Sequence, residues 1–116
     1  MSIELTAEAF EDLVSAELDA LPADMTDGLQ NVAFVIQDRA EDGEDLLGRY
    51  EGVDLTHRDQ YGFGELPDRI VVFRLPHLES AESVPALRDE VRTTLVHEIA
   101  HFYGIDDARL HELGWG

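Results

Sequence analysis

Apolar residues first recur at helical spacing between Thr6 and Leu21, where Phe10, Leu13, Val14, Leu18 and Leu21 share one face of a 3.6-residue period. Thr6 can cap such a helix and Pro22 stands where it should stop, so this span predicts an amphipathic helix. The rhythm then changes. Asn31 to Arg39 (NVAFVIQDR) and Arg69 to Leu75 (RIVVFRL) are short runs rich in β-branched and aromatic residues, which read as strands with at least one face in the core. Between them, AEDGEDLLGRYEGVDLTHRDQYGFGELPD is rich in Gly and Asp, carries turn signals at EG, YGFG and LPD, and offers only a weak strand at Leu47 to Glu51. Ser83 can cap a long helix with Pro85 near its first turn, running to Tyr103, where Gly104 supplies the left-handed residue that ends it. A short last helix is expected from Asp106 to Leu113, with Gly114 stopping it.

On a wheel of 100° per residue, Leu87, Val91, Leu95, Ile99 and Phe102 form the core stripe of the long helix, and Glu98 falls inside it. Val96, Ala100 and Tyr103 add apolar side chains on the other flank, so the second half of the helix is expected to be covered on most sides. The charged residues Arg88, Asp89, Glu90 and Arg92 all sit in the first half. One carboxylate and two imidazoles in the covered half need partners, because a buried charge is costly unless paired or bound to a metal. His97 and His101 lie one turn apart, about 40° around the axis, so their rings project side by side. Both can reach a Zn²⁺ at about 2.0 to 2.1 Å. Glu98 points to the side, where it could act as general base toward water acidified by the metal, the arrangement of an HExxH motif.

Gly104 breaks the helix three residues after His101, letting the chain double back so that Asp107, ten residues after His97, could supply a third ligand. The full pattern is HExxHxxGxxD. Asp107 also has an ordinary reading, since Asp-Asp before a short helix is an N-terminal signature, with Asp106 capping and Asp107 in the first turn. His111 could be an alternative ligand, could orient Asp107, or could simply face solvent. Arg109 and Glu112 read as surface residues.

Length and composition narrow the chemistry. The 116 residues fit one domain, 1–116, and no repeat or linker divides them. With no cysteine, any metal must be held by the acids and the five His. The N-terminal stretch MSIELTAEAFEDL lacks the basic and apolar regions of a signal peptide, and no apolar run approaches the roughly 18 residues a membrane span needs, so a cytoplasmic protein without membrane contact is expected. Acidic residues outnumber basic ones 26 to 8, all eight being Arg, for a formal charge of −18. That field repels phosphate backbones and argues against nucleic acid, while attracting a cationic substrate or a divalent metal; its plainest role is solubility. In the loop-rich part, His57, Tyr61 and Phe63 could line a substrate groove or pin the loop to the core. His57 and His77 are both expected in exposed, loop-like settings, where either could polarise a substrate carbonyl.

With YGFGELPDRIVVFR before the metal helix and GIDDARLHELGW after it, residues 30 to 116 resemble the small bacterial zincin-like metallopeptidases, minimal relatives of the metzincins whose third ligand is Asp. The resemblance implies an α+β fold, a small mixed sheet packed on two main helices, with the metal motif on the C-terminal long helix. It implies His97, His101 and Asp107 as Zn²⁺ ligands, Glu98 as catalytic base and Gly104 as the turn. The larger metzincins add a methionine turn after the motif, whereas the only methionines here are Met1 and Met25. The hydrophobic base under the metal must then come from residues such as Leu110, Leu113 or Trp115. The expected function is zinc-dependent hydrolysis of a peptide or protein substrate. A second reading is a non-catalytic metal-binding module with a closed four-ligand site that includes His111. A metal-dependent ribonuclease of the rRNA-maturation type resembles HGxxH with a final His, which neither Glu98 nor Asp107 matches. His₂Asp ligation suits Zn²⁺, and its geometry is also compatible with Fe, Co or Mn.

Overall fold

Thr6 accepts a hydrogen bond from the Ala9 N–H at 3.1 Å and so starts α1 (Ala7–Asp19), a cap that contributes about 1 kcal/mol. The computed structural model describes residues 3–29, 31–44, 46–52 and 68–112, apart from the side chain of Asp107. After α1 come α2 (Ala23–Thr26), β1 (Val32–Gln37), β2 (Gly48–Glu51), β3 (Asp68–Phe73), α3 (Arg74–Ser80), α4 (Val84–Phe102) and α5 (Asp107–Glu112). The architecture is α+β with a small mixed sheet, as expected.

β3 is the centre of a three-stranded sheet in the order β1-β3-β2. It runs parallel to β1, from Val32 opposite Asp68 to Gln37 opposite Phe73, and antiparallel to β2, with Gly48 opposite Val72 and Glu51 opposite Arg69. Alternation along β3 sends Ile70 and Val72 into the main core and Val71 and Phe73 into a smaller cluster with Ala40, Val35 and Leu46. All four β3 side chains are at most 1% exposed. A strand covered on both faces reads as a continuous apolar run, which is why RIVVF shows no alternation in the sequence.

On the main-core face, Phe10, Leu13 and Val14 of α1 meet the predicted stripe of α4. That stripe is buried: Leu87, Val91 and Leu95 are 0% exposed, Ile99 1% and Phe102 4%. Each such side chain contributes about 1.5–3 kcal/mol by leaving water. The two helices are also tied by Glu17, a buried carboxylate of α1 that accepts from Arg92 Nη2 of α4 at 2.7 Å.

The structure departs from the sequence pattern at α3. The apolar run predicts a strand that reaches Leu75 and ends at Pro76; instead the chain turns helical at Arg74. The Leu75 N–H still donates to Asp38 O at 3.0 Å, so pairing with β1 carries past the start of the helix. Pro76 sits in the first turn, where a missing N–H loses no helical bond. Seven residues are too few to display a period, and burial of Pro76, His77 and Leu78 is what holds them helical. The short α2 behind Pro22 is likewise not legible from the pattern. Among the described residues no helix is long and apolar enough to cross a membrane.

Candidate metal centre

The covered half of α4 carries the candidate chemistry. His97, Glu98 and His101 follow one another on the face that turns from the core toward strand β2. All three are half-buried, with the His101 side chain 37% exposed and that of Glu98 12%. His101 Nδ1 lies 3.2 Å from Glu98 Oε1. A carboxylate can only accept, so this contact places the proton of a neutral His101 on Nδ1 and leaves the lone pair on Nε2, the nitrogen a metal would use. The Nε2 of His97 is itself shut off from solvent.

How Glu98 reaches this position depends on a glycine across from it. Gly48 opens β2, and a Cβ built there would lie 2.5 Å from Thr94 Cγ2, 3.1 Å from the Val71 backbone oxygen and 3.4 Å from Glu98 Cγ. Only a residue without a side chain lets α4 approach the strand this closely. The helix and strand leave a groove of about 520 Å³ beside the contact, lined by Leu46, Gly48, Glu90, Thr94, His97 and Glu98 among others. At its far end α4 stops cleanly. Gly104 adopts φ 78°, its N–H donates to His101 O at 3.0 Å and the Ile105 N–H reaches Ala100 O at 2.9 Å. This pair of bonds is a Schellman cap, and it turns the chain back immediately after the second histidine.

The profile of the zincin-like metallopeptidases matches residues 29–115, which takes in β1, β2, β3 and the whole of α4 with its His97, Glu98 and His101. The chain belongs to the zincin-like metallopeptidase family. A conserved hypothetical protein from T. thermophilus has a similar structure, with a TM-score of 0.58 and 29% sequence identity over 94% of this chain and 97% of that one. No curated protein matches.

A zincin-like site calls for imidazole donors on one helix face, and the donor set here fits that requirement: two rings one turn apart, with a glutamate between them in the sequence and in contact with the second. Among the described residues no group of three His, Cys, Asp or Glu stands together as a ready cation site. Asp107, the third expected ligand, is the first residue of α5, and its side chain lies outside the described residues. The cap of α5 is Asp106, whose Oδ1 accepts from the Arg109 N–H at 2.8 Å. His111 is exposed on α5, and Arg109 and Glu112 form an exposed pair at 2.9 Å, as expected for surface residues. Leu110 is buried in the main core at 3% exposure. His57, Tyr61, Phe63, Leu113 and Trp115 lie outside the described residues.

His77 contradicts its expected setting. Rather than sitting in an exposed loop, it is 0% exposed in α3. Its Nδ1 donates to the Phe73 carbonyl at 2.8 Å, and its Nε2 lies 2.9 Å from Thr94 Oγ1. It therefore cannot polarise a substrate carbonyl. Neither Thr94 nor Gly48 stands out as a site residue in the sequence. Thr94 does leave a signal, since on the helix wheel it is a polar residue next to Leu87 at the edge of the buried stripe. Gly48 leaves none beyond standing in a weak strand.

Burial pulls the pKa of His77 below its ordinary 6.5, an effect only partly offset by the Phe73 carbonyl and the nearby Glu90. The unfolded chain therefore binds a proton that the folded imidazole resists, and stability is lost as pH falls below about 6.5. Replacing His77 by Gln should remove that dependence. In urea titrations the gap between wild type and His77→Gln should narrow by up to about 1.4 kcal/mol on going from pH 7.5 to 5.5. Curves that stay parallel would mean that the ring is not held neutral.

Proposed function

We propose that the protein is a zinc-dependent peptide hydrolase. The observation that carries this reading is the meeting of Glu98 with the edge strand: Glu98 and His97 share a groove with Gly48, and β2 has β3 as its neighbour on one side only among the described residues. An extended peptide could pair with that edge through main-chain hydrogen bonds and bring a backbone carbonyl to the glutamate. His97, His101 and Asp107 would hold the zinc, which when bound polarises the scissile carbonyl and acidifies water. Glu98 takes the proton from the attacking water as the new C–O bond forms, and passes it to the departing amine as the C–N bond breaks. Asp89 and Glu90 line the same groove and favour substrates with basic side chains.

A closed, non-catalytic metal module would need a fourth ligand, and the residue offered for that part, His111, is exposed to solvent on α5. The open site is the better supported of the two. The charge of −18 likewise favours a peptide over RNA.

The test is elemental analysis of wild type beside His97→Ala and Asp107→Ala, followed by cleavage of a mixed peptide library. Zinc near one per chain is expected in wild type, lost in His97→Ala and weakened in Asp107→Ala, with library cleavage that follows the metal. A wild type that stays folded and takes up no offered zinc would overturn the reading.

A further inference from the structure

We propose that His77 is a positioning residue for Glu98, acting through the Thr94 hydroxyl to fix how α4 lies against strand β2. The inference rests on Glu98 being the base of the reaction above, but its geometry is independent of that reading. His77 begins from the centre of the sheet, because its Nδ1–H is held by the carbonyl of Phe73, the last residue of β3. Phe10 packs on its ring at 5.8 Å between centroids, and with no solvent access the ring has no other place to go. With the Nδ1 proton committed to a carbonyl, the neutral ring can only accept at Nε2, so the Thr94 hydroxyl must donate.

That donation decides the rest of Thr94. Its hydroxyl and methyl share one β-carbon, so a hydroxyl directed at His77 fixes the torsion and sends the methyl toward Gly48, where it lies 2.5 Å from the position a Cβ would take. The adjacent Thr93 shows what a helical threonine otherwise does: its hydroxyl returns to Asp89 O at 3.0 Å, one turn back. Thr94, 6% exposed, forgoes that and faces the sheet. Glu98 stands one turn further along the same face, with its Cγ against the same glycine. Phe73, His77, Thr94 and Gly48 thus form one continuous link from the central strand through α4 to the edge strand, ending beside the glutamate. The link sets the distance between the general base and the strand along which substrate would lie, whereas the relative placement of His97 and His101 is set by α4 itself.

This separation makes the proposal testable. Thr94→Val keeps the shape and loses the donor; Thr94→Ser keeps the donor and loses the methyl. The expected result for Thr94→Val is a fall in kcat of about tenfold to a hundredfold, the scale of a misplaced catalytic group, with KM and chelator-competed zinc affinity within about twofold of wild type. Thr94→Ser keeps the donor to His77 but not the methyl that meets Gly48, so it should recover part of kcat, and His77→Gln should resemble Thr94→Val. Amide hydrogen exchange of Gly48 and Arg49, which needs neither zinc nor substrate, should speed up in Thr94→Val and by clearly less in Thr94→Ser. Equal kcat in wild type and Thr94→Val, equal losses in the two threonine variants, or unchanged exchange at β2 would each overturn the proposal. If wild type neither binds zinc nor cleaves peptides, the hydrolase reading fails while the exchange comparison still decides whether the link positions the helix.

Discussion

Glu98→Gln should bind zinc as wild type does and lose peptide turnover by about 10²–10⁴-fold, the usual contribution of a positioned general base. The substitution is chosen because it disturbs almost nothing else. Glutamine keeps the methylene that lies against Gly48, and its amide oxygen can still accept from His101 Nδ1, now 3.2 Å from the carboxylate. What it lacks is affinity for the proton of attacking water. Zinc content and single-turnover cleavage, measured on the same preparation, separate the two properties. Turnover that survives in the zinc-loaded variant would assign the base to another group; zinc lost together with turnover would mean that Glu98 serves the metal rather than the water.

Gly48→Ala should destabilise the fold by about 1–3 kcal/mol, as overpacking at a tight contact does. The new methyl would fall 2.5 Å from Thr94 Cγ2 and 3.1 Å from the Val71 carbonyl, and the second of these belongs to the central strand and has nowhere to move. Relief at the first is available. Thr94→Ser removes the clashing methyl and keeps the hydroxyl, so the double variant should be less damaged than the sum of the single ones, a coupling that a double-mutant cycle in urea reads directly. Strictly additive losses would show that helix and strand do not meet where the structure has them. Because Glu98 lies at the same contact, the alanine variant should also lose activity beyond what its stability explains.

Much of α4 can be read from its sequence because the helix keeps one apolar period from Leu87 to Phe102, interrupted by Thr94 and by the residues with chemistry. A polar residue inside an apolar stripe is conspicuous, which is how Glu98 and the flanking histidines stand out. Gly104 is legible for a similar reason, since a glycine just past the last periodic residue has few other uses. Other features leave no such trace. α3 follows β3 without a connecting loop and is helical through burial of Pro76, His77 and Leu78, a tertiary effect that a seven-residue window cannot carry. His77 looks exposed in the sequence because a histidine after a proline usually belongs to a turn, and only the fold supplies it with the Phe73 carbonyl and the Thr94 hydroxyl. Gly48 weakens the very strand prediction it serves, since a glycine lowers strand propensity whether or not a helix needs the room. The half of the site on α4 is therefore visible from periodicity, while the half contributed by β2 and α3 depends on contacts between segments far apart in the chain.

The Schellman cap after His101 also bears on how this chain can change in length. Gly104 and Ile105 both return their N–H groups to the last turn of α4, and Asp106 at once begins capping α5. The connection between the two helices thus has a hydrogen bond at nearly every step and no slack. One inserted residue between His101 and Asp106 could be absorbed only by undoing a cap, and it would displace the first turn of α5. Deletions and insertions in this stretch should be far less tolerated than changes in the exposed turn at Glu41 to Glu44, which precedes β2 and is held by the Gly43 N–H on Ala40 O, the Glu44 N–H on Asp42 Oδ1 and a half-exposed ion pair from Asp42 to Arg49.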